Sequence, residues 1–360
     1  MNTRNATNPF ADRLQAFAAR LRRRGIAAAI VNDEANLNGL IGFGCDNGRL
    51  VVMADGSAEF YTDFRYIPAA KREAPWIKVR DIRSFSPDLM KKLPRSGSFR
   101  LGYEGGIAAS GYLALARMFR RASLIDVGEC LLLLRAVKTP LEIAKVAAAE
   151  ALNDRIWQES LKEFRHGMTE KEMQRIIRAW MNALGDGEAF ETIVCVGRNA
   201  AECHHVPDDT VWDKGAPLLV DMGVRLDGYC SDMTRCVRPA ADWELSEKYG
   251  EVYDLVLKAN LAAIAQARPG MTGRELDAVA RRIIRKAGHG RRFGHALGHG
   301  VGLEIHECPV ASARSRTVLK PGMLVTIEPG VYIEGEFGIR IEDLVLITKD
   351  GCEVLSSSPK

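Results

Sequence analysis

LLVDMGVRLDGYCSDMTRC, residues 218–236, and VTIEPGVYIEGEFGIRIEDLVL, residues 325–346, decide the reading of this chain. Each is an apolar run broken by turn residues and carrying a pair of acids. In the first, a two-residue turn at Leu226-Asp227 sets Arg225 against Gly228 and Asp221 directly opposite Asp232. In the second, a three-residue loop, Glu334-Gly335-Glu336, sets Glu328 opposite Glu342. Directly opposed side chains share a face, with Cβ atoms about 4.5–5.5 Å apart. Like charges in such contact, flanked by Leu, Val and Ile, repel and resist burial. Multivalent cations reverse that sign. A lone Asp pair in a hairpin would be solvated or salt-bridged. Four carboxylates converging from two hairpins make a site for two divalent metals.

The two hairpins belong to a repeat. Gly167-Met168-Thr169 leads to Glu172, and Gly270-Met271-Thr272 to Glu275; both are capping boxes opening helices that end near Gly185 and Gly288. Gly215 precedes Asp221 by six residues and Gly223 by eight, and Gly322 precedes Glu328 and Gly330 at the same offsets. The matched pairs lie 103 to 107 residues apart. Two related halves follow, each a helix and a strand pair with a carboxylate at an equivalent place.

A third capping box, Thr139-Pro140-Leu141-Glu142, opens a long helix carrying Leu141, Ala144, Ala148 and Leu152 at helical spacing. It marks a boundary near Arg135 to Thr139, giving domains 1–133 and 134–360. Ahead of it, Leu14, Phe17 and Leu21 share a helix face that stops at Gly25. Ile26 to Val31 reads as a buried strand, and Leu50 to Met53 and Glu59 to Thr62 as a hairpin around Asp55-Gly56. The first domain is therefore small and α/β.

Bulk properties narrow the function. A chain of 360 residues is comfortable for two domains. The net charge of +4 is small, and the basic clusters (Arg22 to Arg24, Arg120-Arg121, Arg291-Arg292) are scattered without interleaved aromatics, so no nucleic-acid surface is expected. No run is long enough to span a bilayer, so no membrane partner is expected. Met1 to Asp12 is polar with no apolar core behind it, so no signal peptide is expected. Eight cysteines without a C-x-x-C pair read as reduced thiols of a cytoplasmic protein.

Histidine is scarce, seven residues, and six cluster: His204 and His205, then His289, His295, His299 and His306. Glycines surround His299 in Gly298-His299-Gly300-Val301-Gly302, where they allow the backbone to approach closely. His299 is the expected metal ligand; His289 reads as a turn residue. Oxygen donors with one imidazole suit Mn²⁺, Fe²⁺, Co²⁺ or Zn²⁺. Cys203 and Cys308, beside the histidines, read as thiols outside the ligand set.

Asp221-x₁₀-Asp232, the run Gly298–His306, Glu328-Pro329-Gly330 and Arg340-Ile341-Glu342-Asp343 resemble the creatinase/prolidase/aminopeptidase P group of "pita-bread" metallopeptidases. Asn38–Phe43 and Tyr61–Tyr66 carry a looser resemblance into the first domain. The resemblance implies a small α/β domain followed by a pita-bread fold: a pseudo-twofold duplication around a curved antiparallel sheet, α/β (α+β) overall. It implies cleavage of the bond before proline, in dipeptides or longer peptides, by two divalent ions, manganese first among them, in a homodimer. Asp221, Asp232, His299, Glu328 and Glu342 match the ligands. His204, His295 and His306 match the other active-site histidines, with His205 the alternative to His204; Arg340 and Tyr332 match supporting residues. On this reading a water bridging the metals attacks the carbonyl. Glu328 moves its proton to the leaving nitrogen, His306 faces the oxyanion, and His204 or His295 holds the proline end. Arg340 orients a ligand carboxylate, and Tyr332 either packs or touches substrate. Cys203 and Cys236 stand where the group often has proline and threonine. A metal-free hydrolase of small non-peptide substrates, or a non-catalytic relative, is the alternative; five intact ligands argue against both.

Overall fold

The computed structural model describes residues 8–213 and 215–360. The first seven residues of the polar N-terminal stretch lie outside it. The chain forms two compact units, residues 1–135 and 136–360.

The first unit is built on a six-stranded mixed sheet. Its order is Lys78–Asp81, Ala58–Thr62, Arg49–Met53, Ile26–Val31, Phe99–Tyr103, Ala122–Asp126. Asn8 accepts from the Phe10 N–H and Pro9 opens the helix Pro9–Arg23, whose Leu14, Phe17 and Leu21 are buried. The hairpin expected around Asp55-Gly56 is present, Val52 pairing with Ala58. Both sheet faces are covered: Leu14, Phe17, Leu37 and Phe60 pack in one cluster, and Ile30, Val51, Tyr61 and Phe85 in another.

The second unit shows the duplication. Thr139, Thr169 and Thr272 all complete reciprocal capping boxes with the glutamates three residues on. The helices Glu170–Leu184 and Gly273–Lys286 open the two halves, and the strand bridges Thr169 to Val211 and Thr272 to Val318 are counterparts. The first half's sheet runs Met233–Val237, Leu218–Met222, Ile193–Val196; the second's runs Leu324–Ile327, Asp343–Ile347, Cys352–Val354. A deeper correspondence lies in two buried asparagines. Asn153 on the helix Pro140–Glu163 donates to the Met222 carbonyl at 2.9 Å, and Asn260 on Ser246–Gln266 donates to the Ile327 carbonyl at 2.9 Å. Each pins a strand beside its acid.

The hairpin registers give one correction. In the second half Gly330 pairs with Arg340, Ile333 with Phe337 and Ile327 with Asp343, so the loop is Glu334 to Glu336 as expected and Glu328 falls across from Glu342. In the first half the turn is Asp227-Gly228, not Leu226-Asp227. Leu226 pairs with Tyr229 and Asp221 with Thr234, so Asp221 does not stand directly opposite Asp232. The cause is backbone sterics. A two-residue turn matched to strand twist needs positive φ at both positions, which Asp227 (50°) and Gly228 (79°) supply and Leu226 would resist. The slip is two residues, an even number, so it preserves the face on which each side chain lies. Asp232 is the diagonal neighbour of Asp221 on one side of the sheet.

Candidate metal centre

Asp221, Asp232, His299, Glu328 and Glu342 line one cavity of about 420 Å³ within the second unit. Donor atoms of Asp232, His299 and Glu342 lie within 4.8 Å of one another. His299 Nε2 is 3.5 Å from Asp232 Oδ2 and 3.3 Å from Glu328 Oε1. Asp232 and Glu342 are buried, 4% and 1% exposed.

The backbone sets His299. A Cβ on Gly298 would sit 1.9 Å from the Thr326 carbonyl oxygen, so only glycine lets this strand lie against Leu324–Ile327. The His299 N–H donates to Thr326 Oγ1 at 3.0 Å, and that hydroxyl donates to Glu328 Oε1 at 3.1 Å. His299 Nδ1 lies 3.2 Å from the Gly300 carbonyl, which can only accept, so Nδ1 carries the proton. Nε2 then turns its lone pair to the carboxylates. Burial, and next the neighbouring His306, hold the ring's pKa down to about 4, so it is a neutral donor.

Arg340 ties the acids together. It is 4% exposed. Its Nη2 donates to Asp221 Oδ2 at 2.7 Å, its Nε to Thr234 Oγ1 at 3.0 Å and its Nη1 to the Tyr332 hydroxyl at 2.9 Å. Thr234 in turn donates to Glu342 Oε2 at 2.6 Å. Tyr332 donates to His295 Nε2 at 2.9 Å, since His295 Nδ1 is spent on the Ala296 carbonyl at 2.7 Å. The Tyr332 hydroxyl thus sits in a polar chain from Arg340 to His295.

Electrostatically, these carboxyls are poor carboxylates by themselves. Burial, reinforced by Glu342, Asp221 and Glu328, lifts Asp232 well above the usual range; burial, with Glu328 and Asp221, does the same to Glu342. Burial pushes Glu328 up to about 8. Asp221 Oδ1 is buried with no hydrogen-bond partner among the described residues. An orphaned acceptor among mutually repelling acids and a neutral imidazole is what divalent cations would satisfy, so the residues present fit a metal centre.

The remaining histidines divide. His306 is exposed, its ring edge-on to His299 with centroids 4.3 Å apart. His204 is exposed on the cavity wall with Val206 and Pro207. His205 also borders the cavity, but its Nε2 lies 2.7 Å from Glu170 Oε2, and that wholly buried carboxylate also accepts from Val196 N, Asn199 and Asp208 N. His205 is thus part of the pin under the loop that carries His204. Cys203 lines the cavity, and Cys236 Sγ contacts the Arg340 carbonyl at 3.3 Å; burial raises both thiols. None of the eight cysteines is in a disulfide.

Sequence reasoning missed Thr234 and Thr326. Thr234 lies two residues from Asp232 and Thr326 two residues from Glu328, each on the strand next to that acid, a spacing that marks a shared face. It also missed Glu150, fully buried on the helix Pro140–Glu163, whose carboxylate takes the Asp232 N–H at 3.1 Å.

The profile described as Metallopeptidase family M24 matches residues 144–349, and the Creatinase/Prolidase N-terminal domain matches residues 13–137. The Xaa-Pro dipeptidase of Pyrococcus horikoshii is 32% identical over 94% of this chain and 95% of its own length. The structure of the Xaa-Pro dipeptidase from Bacillus anthracis superposes with a TM-score of 0.90 at 33% identity, covering 97% of this chain and 98% of that one. The X-Pro aminopeptidase from Thermotoga maritima does so with a TM-score of 0.83 at 34% identity, covering 94% and 98%. A duplicated fold, a cavity in which four of the lining acids gather around His299, and these likenesses together place the chain in metallopeptidase family M24, with a creatinase/prolidase type of domain ahead of it.

Proposed function

We propose that the chain hydrolyses the peptide bond on the amino side of proline, in Xaa-Pro dipeptides or at the start of longer peptides, with two divalent ions held by Asp221, Asp232, His299, Glu328 and Glu342. The observation that carries the metal reading is the buried, unpartnered Oδ1 of Asp221 among acids that burial and mutual repulsion push toward neutrality. The relatives named for Xaa-Pro cleavage support the substrate class. Bound there, divalent ions would supply Lewis acidity, polarising the scissile carbonyl and lowering the pKa of the attacking water.

The chain's own groups do the rest. Glu328, oriented by Thr326, takes the water's proton and returns it to the leaving imino nitrogen. His306, free on the cavity side of His299, donates to the carbonyl oxygen as negative charge grows. The exposed His204 ring holds the proline end, and His295 braces Arg340 through Tyr332. Arg340 fixes Asp221 directly and Glu342 through Thr234. Manganese, a homodimer and a cytoplasmic setting go with this reading, the last in keeping with eight cysteines held as thiols. The test is Asp232→Asn. It should lose both bound metal and turnover of an Xaa-Pro substrate; full activity in that variant, or in chelator-treated protein, defeats the proposal.

A further inference from the structure

The segment Ser356 to Ser358 bonds to the helix Pro140–Glu163 and to residues beside Asp232 and Glu342. On the helix Pro140–Glu163, Glu150 and Asp154 stand one turn apart on one face, 0% and 3% exposed. Asp154 receives three donors from the segment: the Ser357 N–H and hydroxyl on Oδ2, and the Ser358 N–H on Oδ1, each at 2.7 Å. Glu150 takes the Ser356 hydroxyl on Oε1 at 2.6 Å and the Asp232 N–H on Oε2 at 3.1 Å. The same Ser356 oxygen accepts from the Leu344 N–H at 2.9 Å, two residues beyond Glu342.

The Ser358 carbonyl accepts from Arg235 Nε at 3.1 Å and Nη2 at 2.9 Å. Arg235, 2% exposed, also donates to the Thr234 and Glu342 carbonyls and to Asp343 Oδ1. Lys360 Nζ lies 2.7 Å from Asp343 Oδ2. The strand of Asp232 comes from the first half of the duplication and that of Glu342 from the second. Their direct backbone link here is Glu342 N–H to the Thr234 carbonyl at 3.2 Å. Two hydrogen-bonded routes through the segment close the same gap from behind: Asp232 to Glu150 to Ser356 to Leu344, and Asp154 to Ser358 to Arg235 to Glu342.

We propose that Asp154 and the segment Ser356–Ser358 form a strap that fixes the separation of Asp232 and Glu342, making Asp154 a positioning residue for metal binding. This rests on the reading of the cavity as a metal centre. A carboxylate buried with three donors is a strong anchor, because any donor lost leaves a desolvated charge under-satisfied. Asp154 is not among the cavity-lining residues, so its removal acts only through the strap.

The experiment titrates the metal-free full chain with Co²⁺ and follows visible absorption, at a temperature where circular dichroism shows every variant folded. Asp154→Ala should bind Co²⁺ about 10–100-fold more weakly, the usual cost of losing support behind a ligand. Asp154→Asn, which keeps one acceptor oxygen, should recover part of that loss. Met181→Ala, a cavity in the first half's core, controls for lost stability alone and should bind as the parent chain does. Should Asp154→Ala fail to fold, Ser357→Ala removes one of the three bonds and should still weaken binding about threefold or more. The strap is overturned if the folded Asp154 variant (or Ser357→Ala in its place) binds Co²⁺ like the parent, or if Met181→Ala weakens it equally. A parent chain that binds no Co²⁺ would instead overturn the metal reading itself.

Discussion

Stripping divalent ions from this protein should make its stability fall more steeply with rising pH than that of the loaded protein. In the metal-free fold Asp232, Glu328 and Glu342 sit well above ordinary carboxyl pKa values because of burial and one another; Glu328 reaches about 8 against an ordinary 4.5. A carboxyl whose folded pKa exceeds its unfolded one holds its proton in the folded chain after the unfolded chain has lost it. The folded state then binds more protons, and stability drops by about 1.4 kcal/mol per pH unit for each extra proton. The contribution is fully present below about pH 4.5 and is lost as pH climbs toward 8. Glu328 alone accounts for about 3 kcal/mol between pH 5 and 7, and the other two acids add in the same direction. Bound cations keep all three ionised throughout, removing their share of the slope. Glu150, raised to about 8 by burial, titrates in both forms and cancels in the difference. The assay is urea unfolding at pH 5, 6 and 7, with chelator or with saturating Mn²⁺. It is followed by tryptophan fluorescence, since four of the five tryptophans (157, 180, 212 and 243) lie in the second unit. Parallel stability curves for the two forms would refute the claim that these acids are held against their charge.

Other substitutions separate roles that the cavity places side by side. Arg340→Lys keeps the charge but cannot span Asp221, Thr234 and Tyr332 together; metal affinity should fall about 10–100-fold by titration, with KM in saturating metal little changed. His204→Ala should cut kcat/KM about tenfold or more while leaving the melting temperature in place. His205→Ala should do the reverse, costing about 1–3 kcal/mol in unfolding because Glu170 loses a donor in a buried site. Among the described residues lining the cavity Arg340 is the one Lys or Arg, and it is committed to Asp221. Hydrolysis of an Xaa-Pro dipeptide and of its uncharged C-terminal amide should therefore differ less than about tenfold in kcat/KM; a larger preference for the free acid would mean that another cation reaches the substrate.

Local signals in the sequence carried far. Capping boxes at Thr139, Thr169 and Thr272, the alternation of Leu, Val and acid in the hairpins, and glycines around His299 are each written in fewer than ten residues, and the fold realises them as read. The pairing of Asp221 with Thr234 was misread because the turn was set one position early, at Leu226 rather than Asp227. Asp221 and Asp232 still share a face for a physical reason: side chains repeat every two residues along a strand, so a slip of two changes partners without changing faces. A slip of one would have sent Asp221 into the apolar core beneath the sheet.

Contacts closed across the duplication were not legible in this way. Glu150 meets Ser356 across 206 residues, and Arg340 meets Asp221 across 119; no periodicity or turn signal brings such pairs together. Yet these contacts decide what the acids can do. The hairpins alone would present four mutually repelling carboxyls. Arg340 leaves Asp221 one bonded and one open oxygen, Thr234 and Thr326 each hold one oxygen of a glutamate, and the Asp232 backbone is anchored on Glu150. Each acid is thus held by one atom and left open at another. Repetition of the half supplied the charges; the cross-links between halves, which differ from one half to the other, turned a symmetric cluster of acids into an ordered set of donor atoms.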